Sequence, residues 1–139
     1  MNENHTFAII KPDAVEHGNS AEILYLINSA GYKINALKMT SISIKEAEKF
    51  YAIHKDREFF VGLTQFMSSG PIVAMILEKD DAVHSFRKFI GSTDPAAAVE
   101  GTIRKRFGTN TRFNAIHASD SVENARHEAG YFFSEREIF

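Results

Sequence analysis

The sequence predicts an α+β fold in which helices pack over one four-stranded antiparallel sheet. Short apolar runs and amphipathic helical segments follow one another without the strict alternation of a doubly wound parallel sheet. The 139 residues fit one domain, residues 1–139, and leave little room for a second. A composition of 44% hydrophobic and 24% charged residues is that of a globular protein with its own core, which excludes a mainly disordered chain.

Apolar spacing assigns two strands and three helices to the first half of the chain. The run HTFAIIK is typical of a buried strand and is followed by a proline. Ile23, Leu24 and Ile27 have helical spacing, and Ser43 lies three residues before Glu46, as in a capping box. In order, we expect a strand at 5–11, a helix that Asn19 or Ser20 caps and Gly31 stops, a strand at 33–40, and helices at 44–51 and 59–67.

The second half contains the most apolar strand and a long connection. The run IVAMIL is apolar on both faces, so we expect it in the centre of the sheet. The segment from Gly91 to about Asn114 is rich in turns and arginines, and a connection of this length in a compact domain favours a functional role. In order, we expect a strand at 72–77, a helix at 82–90 capped by Asp80 or Asp81, a strand at 115–118, and a helix at about 122–131 after Ser119 and Asp120. This order fits a ferredoxin-like split β-α-β arrangement.

Several classes of protein are excluded by what the sequence lacks. The absence of cysteine excludes disulfide scaffolds, iron–sulfur sites and thiol nucleophiles. No apolar stretch approaches the roughly 20 residues of a membrane span. The first residues do not have the pattern of a secretory signal, so we expect a cytoplasmic protein. Glycine-rich phosphate loops are also absent, so any phosphate would be bound by side chains.

Basic residues are concentrated in one part of a chain whose net charge is −2. Residues 85–112 contain six basic and two acidic side chains. A local basic segment in an acidic chain favours a small anionic ligand over a long nucleic acid. The alternative is a solvated helix face that carries scattered lysines and arginines.

Among the histidines, His117 is the one best suited to a chemical role. It lies in NAIHASD, among small residues, at the end of a predicted strand. An accessible neutral imidazole can act as general base, metal ligand or nucleophile, whereas a buried structural histidine is the alternative. Lys11, Arg87 and Arg104 could neutralise a phosphoryl group, which favours the nucleophile. Glu128 could fix the tautomer of the His117 ring by accepting a hydrogen bond from its second nitrogen. The alternative is that Glu128 is an ordinary exposed residue of a helix.

The segment NAIHASDS resembles the active-site signature of nucleoside diphosphate kinases, Asn-x-x-His-Gly/Ala-Ser-Asp. Further similar segments follow in collinear order over essentially the whole chain, at 6–14, 55–60, 67–74, 91–95 and 101–104. The resemblance implies a ping-pong reaction. A nucleoside triphosphate, mainly ATP, would phosphorylate His117, and a nucleoside diphosphate would then accept the phosphate.

The resemblance also implies roles for particular residues. His117 would attack through its δ nitrogen, while Glu128, with Ser119, would hold the other ring nitrogen. Lys11 would reach the ribose hydroxyl and the transferred phosphate, and Tyr51 would lie beside the histidine. The nucleotide would be bound by Arg87, Thr93 and Arg104 at the distal phosphates, by Asn114 at the sugar, and by Phe59 and Leu63 at the base. Mg²⁺ would be held mainly by the nucleotide phosphates, with Asp120 near it through water.

The family resemblance implies partners and leaves one alternative. Stacking tolerates any base, so broad use of nucleoside di- and triphosphates is expected. A homo-oligomer is expected, as a tetramer or hexamer built from dimers, with no membrane and no nucleic-acid partner. The alternative is a non-catalytic nucleotide- or nucleic-acid-binding regulatory module.

Four positions depart from the family pattern. Thr111 could weaken stacking on the base, and Glu58 replaces a frequent proline. The pair Arg112-Phe113 stands where small or polar residues are common, and Phe113 could either crowd the sugar or pack inward.

Overall fold

Four strands form one antiparallel sheet in the computed structural model, which describes residues 1–139. The strands are β1 (His5–Ile10), β2 (Lys33–Thr40), β3 (Ile72–Glu78) and β4 (Ile116–Ala118), in the spatial order β2-β3-β1-β4. All three pairings are antiparallel. The predicted fold class is therefore confirmed, and β3 is a central strand, as its apolar sequence indicates.

Seven helices connect and cover the strands. All five predicted helices are present, within two residues of their expected bounds. Two five-residue helices, the first and the sixth, were not predicted. The helices are α1 (Pro12–Glu16), α2 (Ser20–Ser29), α3 (Ile44–Phe50), α4 (Phe60–Met67), α5 (Ala82–Ile90), α6 (Ile103–Phe107) and α7 (Val122–Phe132), with short 3₁₀ turns at Ala52–His54, Pro95–Ala97 and Glu135–Glu137.

The helix caps agree only partly with the sequence prediction. The Ser43 capping box is confirmed, because Ser43 and Glu46 each accept a hydrogen bond from the other's backbone N–H. Asn19 and Asp81 occupy N-cap positions, but neither side chain caps its helix. The N-cap of α7 is Ser121, which directly follows Ser119 and Asp120, and its Oγ accepts from the N–H of Asn124 at 3.0 Å.

The predicted irregular segment contains the sixth helix. Thr102 starts α6 by accepting a hydrogen bond from the N–H of Lys105 at 3.3 Å. Five residues are too few to show a helical period, so sequence periodicity could not reveal this helix. The consequence for the site is that Arg104 projects from a helix and not from a loop.

Both faces of the sheet are buried under helices. Ala8 and Ile10 of β1 belong to a cluster with residues of α2 and α5, whereas Phe7 and Ile9 belong to a cluster with residues of α3 and α7. This alternation follows from the two-residue period of a strand. His117 of the edge strand β4 lies opposite Ile9 in the β1–β4 register, so its side chain is on the same face of the sheet as Phe7 and Ile9. No helix has both the length and the apolar character to cross a bilayer.

Candidate active site

A cavity of about 910 Å³ opens beside the edge strand β4. Eleven of the twelve residues singled out from the sequence line it, although they come from distant parts of the chain. They are Lys11, Tyr51, Phe59, Leu63, Arg87, Thr93, Arg104, Asn114, His117, Asp120 and Glu128. We call the part around Lys11, Arg87, Arg104, His117 and Glu128 the inner end, and the part around Phe59, Leu63, Arg112 and Phe113 the outer end.

His117 reaches the cavity with one ring nitrogen engaged and the other free. Its Nε2 is hydrogen-bonded to Oε1 of Glu128, which projects from α7. Ser119 Oγ lies 3.2 Å from the same carboxylate oxygen and 3.2 Å from the Phe7 carbonyl oxygen, so its single proton can go to either acceptor. Nδ1 has no hydrogen-bond partner in the protein. The His117 side chain is 19% exposed, so it is not a fully enclosed structural histidine.

Aromatic rings fix the orientation of the His117 imidazole. The ring centroids of Phe50, Tyr51 and Phe7 lie 5.7, 6.0 and 6.3 Å from that of His117, all with edge-on geometry. The Tyr51 hydroxyl is buried without a hydrogen-bond partner. Burial, and then the nearby Glu128 carboxylate, raise the pKa of Tyr51, so its hydroxyl stays protonated and can donate a hydrogen bond to a ligand.

Lys11 brings a buried ammonium to the inner end. It follows β1 directly, is only 6% exposed, and donates from Nζ to Asn114 Oδ1 at 2.7 Å. Burial and the positive charge of Arg104 lower the pKa of Lys11 to about 7, while the charge of Asp13 opposes this shift. An anion that bound here would favour the protonated form.

Asn114 connects the lysine to two turns of the chain. Its Nδ2 donates to the carbonyl oxygens of Thr93 at 3.0 Å and Thr111 at 3.1 Å, while its Oδ1 accepts from Lys11. The side chain is almost completely buried. Three hydrogen bonds therefore fix one amide at the junction of β1, the 93 region and the turn before β4.

The two arginines of the inner end are held by backbone oxygens and not by carboxylates. Arg104 donates to the carbonyl oxygens of Gly91 at 3.1 Å and Ile116 at 2.9 Å. Arg87 donates to the carbonyl oxygen of Ala118 at 3.2 Å. Burial, and then the charge of Arg87, lower the pKa of Arg104 to about 10. Neither guanidinium forms an ion pair, so the inner end carries positive charge that an anionic ligand can neutralise.

The outer end is built differently, from partly exposed apolar and aromatic side chains. Phe59 is 41% exposed, and its ring lies 5.4 Å from the His54 ring and 5.5 Å from the Arg57 guanidinium carbon. Phe113 contacts Phe66 of α4 edge-on, with ring centroids 4.6 Å apart, but it is 39% exposed and lines the cavity, so it does not pack inward. Thr111 also lines the cavity.

The Arg112 side chain covers Gly62 of α4, a contact that the sequence did not reveal. A Cβ atom at position 62 would lie 2.4 to 2.6 Å from the guanidinium atoms, so only a glycine leaves the space that this side chain occupies. Phe59, Gly62 and Phe66 form one stripe at helical spacing. The loop before Asn114 therefore docks on this stripe through two successive side chains.

The residues present fit a divalent cation only as part of a ligand complex. Asp120 is exposed at the rim of the cavity, and its Oδ1 accepts from Asn124 Nδ2 at 2.5 Å. No group of three potential metal-ligating side chains exists in the chain. A single carboxylate suits an ion that keeps its waters and is bound mainly through phosphate oxygens, which is the preference of Mg²⁺.

Several lining residues were not predicted. They include two histidines at the cavity, of which His127 is exposed and His54 is half-buried. Others are Lys49, Asn110, Arg112 and Asn124. Charged and polar residues on helices and in loops are usually solvated, so nothing in the local sequence distinguishes these from ordinary surface positions.

Comparison with known proteins gives one consistent result. A family model described as nucleoside diphosphate kinase matches residues 4–138. The nucleoside diphosphate kinase of Flavobacterium psychrophilum is 50% identical over 139 residues, with complete coverage of both chains. That of Salinibacter ruber is 50% identical over 138 residues, covering 99% of this chain and 97% of the relative.

Solved structures agree with the sequence comparison. The nucleoside diphosphate kinase of Aquifex aeolicus superposes with a TM-score of 0.96 at 45% identity, covering 98% of this chain and 99% of the other. The Halobacterium salinarum enzyme, solved in complex with CDP, gives a TM-score of 0.93 at 35% identity, covering 99% and 92%. Sequence and fold agree over nearly the full length, and this chain belongs to the nucleoside diphosphate kinase family.

Proposed function

We propose that this kinase transfers the terminal phosphoryl group of a nucleoside triphosphate to a nucleoside diphosphate through a phosphohistidine at His117. In the first half-reaction, the Nδ1 lone pair forms a bond to the terminal phosphorus while the bond to the bridging oxygen breaks. The nucleoside diphosphate leaves with that oxygen. In the second half-reaction, the terminal oxygen of another diphosphate attacks the same phosphorus, and His117 is regenerated.

The observation that carries this proposal is that only one of the two ring nitrogens of His117, Nε2, is hydrogen-bonded to the protein. Glu128 Oε1 accepts a hydrogen bond from Nε2, which keeps the proton on that nitrogen and the lone pair on Nδ1. The carboxylate also stabilises the positive charge that develops on the ring during attack, and Ser119 orients the carboxylate. Nδ1 has no competing partner and borders the cavity.

The inner end supplies the electrostatic stabilisation that phosphoryl transfer requires. Lys11, Arg87 and Arg104 line the same cavity as His117, and none of the three has a carboxylate partner. Charge on the phosphate oxygens would be neutralised by groups already in position, so little reorganisation is needed. We assign Arg87, Thr93 and Arg104 to the distal phosphates, Lys11 to the transferred phosphate, and the Tyr51 hydroxyl to a donor role beside it.

The outer end suits the nucleoside. Phe59 presents an exposed aromatic face and Leu63 lies in the next turn of α4, so we assign the base to these two residues and the sugar to Asn114 and Lys11. Stacking on an aromatic face does not discriminate between bases. The Halobacterium salinarum relative binds the pyrimidine nucleotide CDP, which supports broad use of bases by this chain.

We assign the divalent cation of the reaction to Mg²⁺ bound to the nucleotide phosphates. Asp120 would approach it through water. When bound, the ion would neutralise part of the phosphate charge. The chain's own contribution is one exposed carboxylate at the rim of the cavity, held by Asn124.

A second copy of this chain is the proposed partner. β2 is an edge strand that pairs only with β3, and Leu37 and Met39 on it are 50% and 63% exposed. An unpaired edge with exposed apolar side chains can pair with its own copy about a two-fold axis. Met39→Glu should therefore lower the mass found by sedimentation. We propose that such dimers assemble into a homo-oligomer. Each chain would form one domain, and the substrates would be nucleotides of the cytoplasm.

The test is phosphorylation of the protein by labelled ATP and Mg²⁺. The label should be acid-labile and base-stable, as expected for a phosphoramidate, and added nucleoside diphosphates should remove it. His117→Ala should abolish both labelling and transfer, whereas His84→Ala, on the exposed face of α5, should label like the wild type. Labelling of His117→Ala at the wild-type rate would reject the proposed nucleophile, and a wild-type protein that binds nucleotide without becoming labelled would favour the non-catalytic module.

A further inference from the structure

We infer that Asp13 is a positioning residue for this reaction, because it holds the turn that places Asn114 and His117 in the cavity. Asp13 does not line the cavity and has no role in the mechanism above. It lies in the first turn of α1, two residues after Lys11, and reaches a turn 102 residues later in the chain. The inference rests on the proposed function of His117.

The turn in question is strained. Ala115 has a φ of +74°, which is the left-handed region that residues with a Cβ avoid. The N–H of Ile116 donates to the carbonyl oxygen of Asn114 at 2.9 Å, two residues back. This hydrogen bond and the positive φ together define a γ-turn of the rare, strained kind. Strained turns persist only where the surroundings hold them, and this one lies between two residues of the candidate active site.

Both backbone groups of Ala115 are held by the segment from Lys11 to Asp13. Its N–H donates to Asp13 Oδ2 at 3.1 Å, and its carbonyl oxygen accepts the N–H of Lys11 at 2.8 Å. Ala115 is completely buried, so neither of its backbone groups reaches bulk water in the folded chain. Without the Asp13 carboxylate, the turn would leave a buried N–H unpaired in addition to its strain.

The turn determines where two proposed functional side chains lie. Asn114 immediately precedes Ala115 and contacts Lys11 through its amide. His117 follows two residues after it, in the three-residue strand β4. A relaxed turn would rotate Asn114 away from Lys11 and change the entry of the chain into β4. Asp13 therefore acts on the site through Ala115, and not by touching the substrate.

The Asp13 carboxylate has a second effect on the inner end through its charge. The charged groups that act on the Lys11 ammonium are Asp13 on α1 and Arg104 on α6, and they shift its pKa in opposite directions. Removal of the Asp13 charge leaves Arg104 unopposed and should lower the pKa of Lys11 further. The high-pH decline in activity would then begin at lower pH.

The experiment compares the cost of losing Asp13 in two backgrounds. Phosphorylation of His117 by ATP is measured in single turnovers for the wild type, Asp13→Ala, Ala115→Gly and the double variant. Asp13→Ala should lower the ratio of the phosphorylation rate constant to the apparent Kd for ATP roughly 30- to 100-fold. This loss reflects both the unpaired buried N–H of Ala115 and the strain of its turn. Glycine adopts positive φ freely, so the turn is not strained in the Ala115→Gly background. The fold-loss caused by Asp13→Ala in that background should be roughly 5 to 30 times smaller than in the wild-type background.

A conservative variant separates the hydrogen bond from the charge. Asp13→Asn keeps an acceptor for the Ala115 N–H, so at pH 6.5 it should retain more activity than Asp13→Ala, with its high-pH decline displaced to lower pH. If Asp13→Ala does not fold, Asp13→Leu takes its place in both backgrounds, because leucine fills a similar volume without an acceptor for the Ala115 N–H. Circular dichroism and thermal unfolding establish the folded fraction of every variant.

Two results would overturn the inference. One is a folded Asp13→Ala protein with wild-type kinetics. The other is an equal loss from the Asp13 substitution in both backgrounds, which would show that the Ala115 turn does not transmit the effect. A role in stability alone would lower the melting temperature and leave the rate per folded molecule unchanged. Failure of the wild type to become labelled would instead reject the proposed function, so the two failures are distinguishable.

Discussion

The two ends of the cavity differ in how firmly their side chains are held. At the inner end, Lys11 and Arg104 are 6% and 7% exposed and are held by a side-chain amide and by backbone oxygens. At the outer end, Phe59 and Phe113 are 41% and 39% exposed and are held only by neighbouring rings and one guanidinium. A fixed inner end suits the phosphoryl transfer proposed above, which has one charge distribution in its transition state, and a loosely built outer end suits the proposed binding of bases of different shape.

This contrast predicts that substitutions at the inner end reduce kcat strongly, while substitutions at the outer end raise KM moderately. It also predicts that the inner end costs stability, because charges are buried there without partners of opposite charge. Four substitutions test the contrast, from the largest expected effect to the smallest.

Lys11→Met should reduce kcat/KM by about two to three orders of magnitude, or about 2.7–4 kcal/mol, because a preorganised charge at the transferred phosphate is lost. The same substitution should raise the free energy of unfolding at pH 7. The folded chain holds Lys11 with a pKa near 7, and the ordinary value is 10.5. Kinetics and urea unfolding measure both effects.

The stability gain of Lys11→Met should depend on pH with a defined sign. Between about pH 7 and pH 10.5 the unfolded wild-type chain binds a proton that the folded chain does not, so wild-type stability rises with pH over this range. The advantage of the variant is therefore largest below pH 7 and shrinks towards pH 10.5. Lys79→Met is the matched control: its Nζ donates to the Ala30 carbonyl oxygen outside the cavity, so kcat/KM should not change. An Lys11→Met protein less stable than the wild type at pH 6 would contradict the assigned cost.

Glu128→Gln should slow phosphorylation of His117 by roughly 10- to 100-fold, about 1.4–2.7 kcal/mol. The amide can donate as well as accept, so it no longer enforces a proton on Nε2, and it carries no charge to stabilise the imidazolium. Single-turnover kinetics measure the effect. Ser119→Ala should have a smaller effect, since Ser119 acts only through the carboxylate. An unchanged rate in Glu128→Gln would remove Glu128 from the mechanism.

Phe59→Ala should raise KM by about 5- to 10-fold and leave kcat nearly unchanged. An increase of this size is at the low end of the roughly 1–3 kcal/mol that base stacking contributes, because the Phe59 ring is partly exposed. The increase should be similar for ADP, GDP, CDP and UDP. Phe59→Tyr keeps the aromatic face and should restore the wild-type KM. A large increase for one base alone would show that the outer end reads base identity.

Gly62→Ala should have the smallest effect on activity, less than about threefold, because it only displaces the flexible end of Arg112 at the outer end. Alanine in a helix is favoured over glycine by about 0.5–1 kcal/mol, but the clash with Arg112 should cancel part of this gain. Gly130→Ala in α7 is the matched control, since nothing lies within 4 Å of its new Cβ. The full gain should return at position 62 in an Arg112→Ala background. Equal stabilisation by both glycine substitutions would show that Arg112 does not rest on α4.

The sequence predicted most of the regular fold for identifiable reasons. The strand at IVAMIL is apolar throughout because it is central, and the longer helices show a clear apolar period. The helices α1 and α6 have five residues each, too few for a period, and Pro12 was interpreted as the end of a strand although it also begins a helix. Asn19 and Asp81 lie at the predicted N-cap positions, but their side chains do not form the capping hydrogen bond. A suitable residue type at this position does not by itself ensure that bond.

The site was predictable where one motif carried the chemistry and unpredictable where it depends on tertiary contacts. The NAIHASDS segment and the basic residues indicated His117 and the cations of the inner end. Nothing local indicates that Asp13 supports Ala115, 102 residues away, or that Arg112 covers Gly62. Such contacts follow from the packing of β1 against β4 and of the loop against α4, which sequence spacing does not encode.

The most direct test of the account is the position of the phosphate on the His117 ring. ³¹P and ¹⁵N NMR of the phosphorylated protein, labelled at histidine, distinguish the two phosphohistidine isomers by their coupled nitrogen. The hydrogen bond from Nε2 to Glu128 predicts phosphate on Nδ1, with the proton retained on Nε2. Phosphate on Nε2, or on any residue other than His117, would contradict the account.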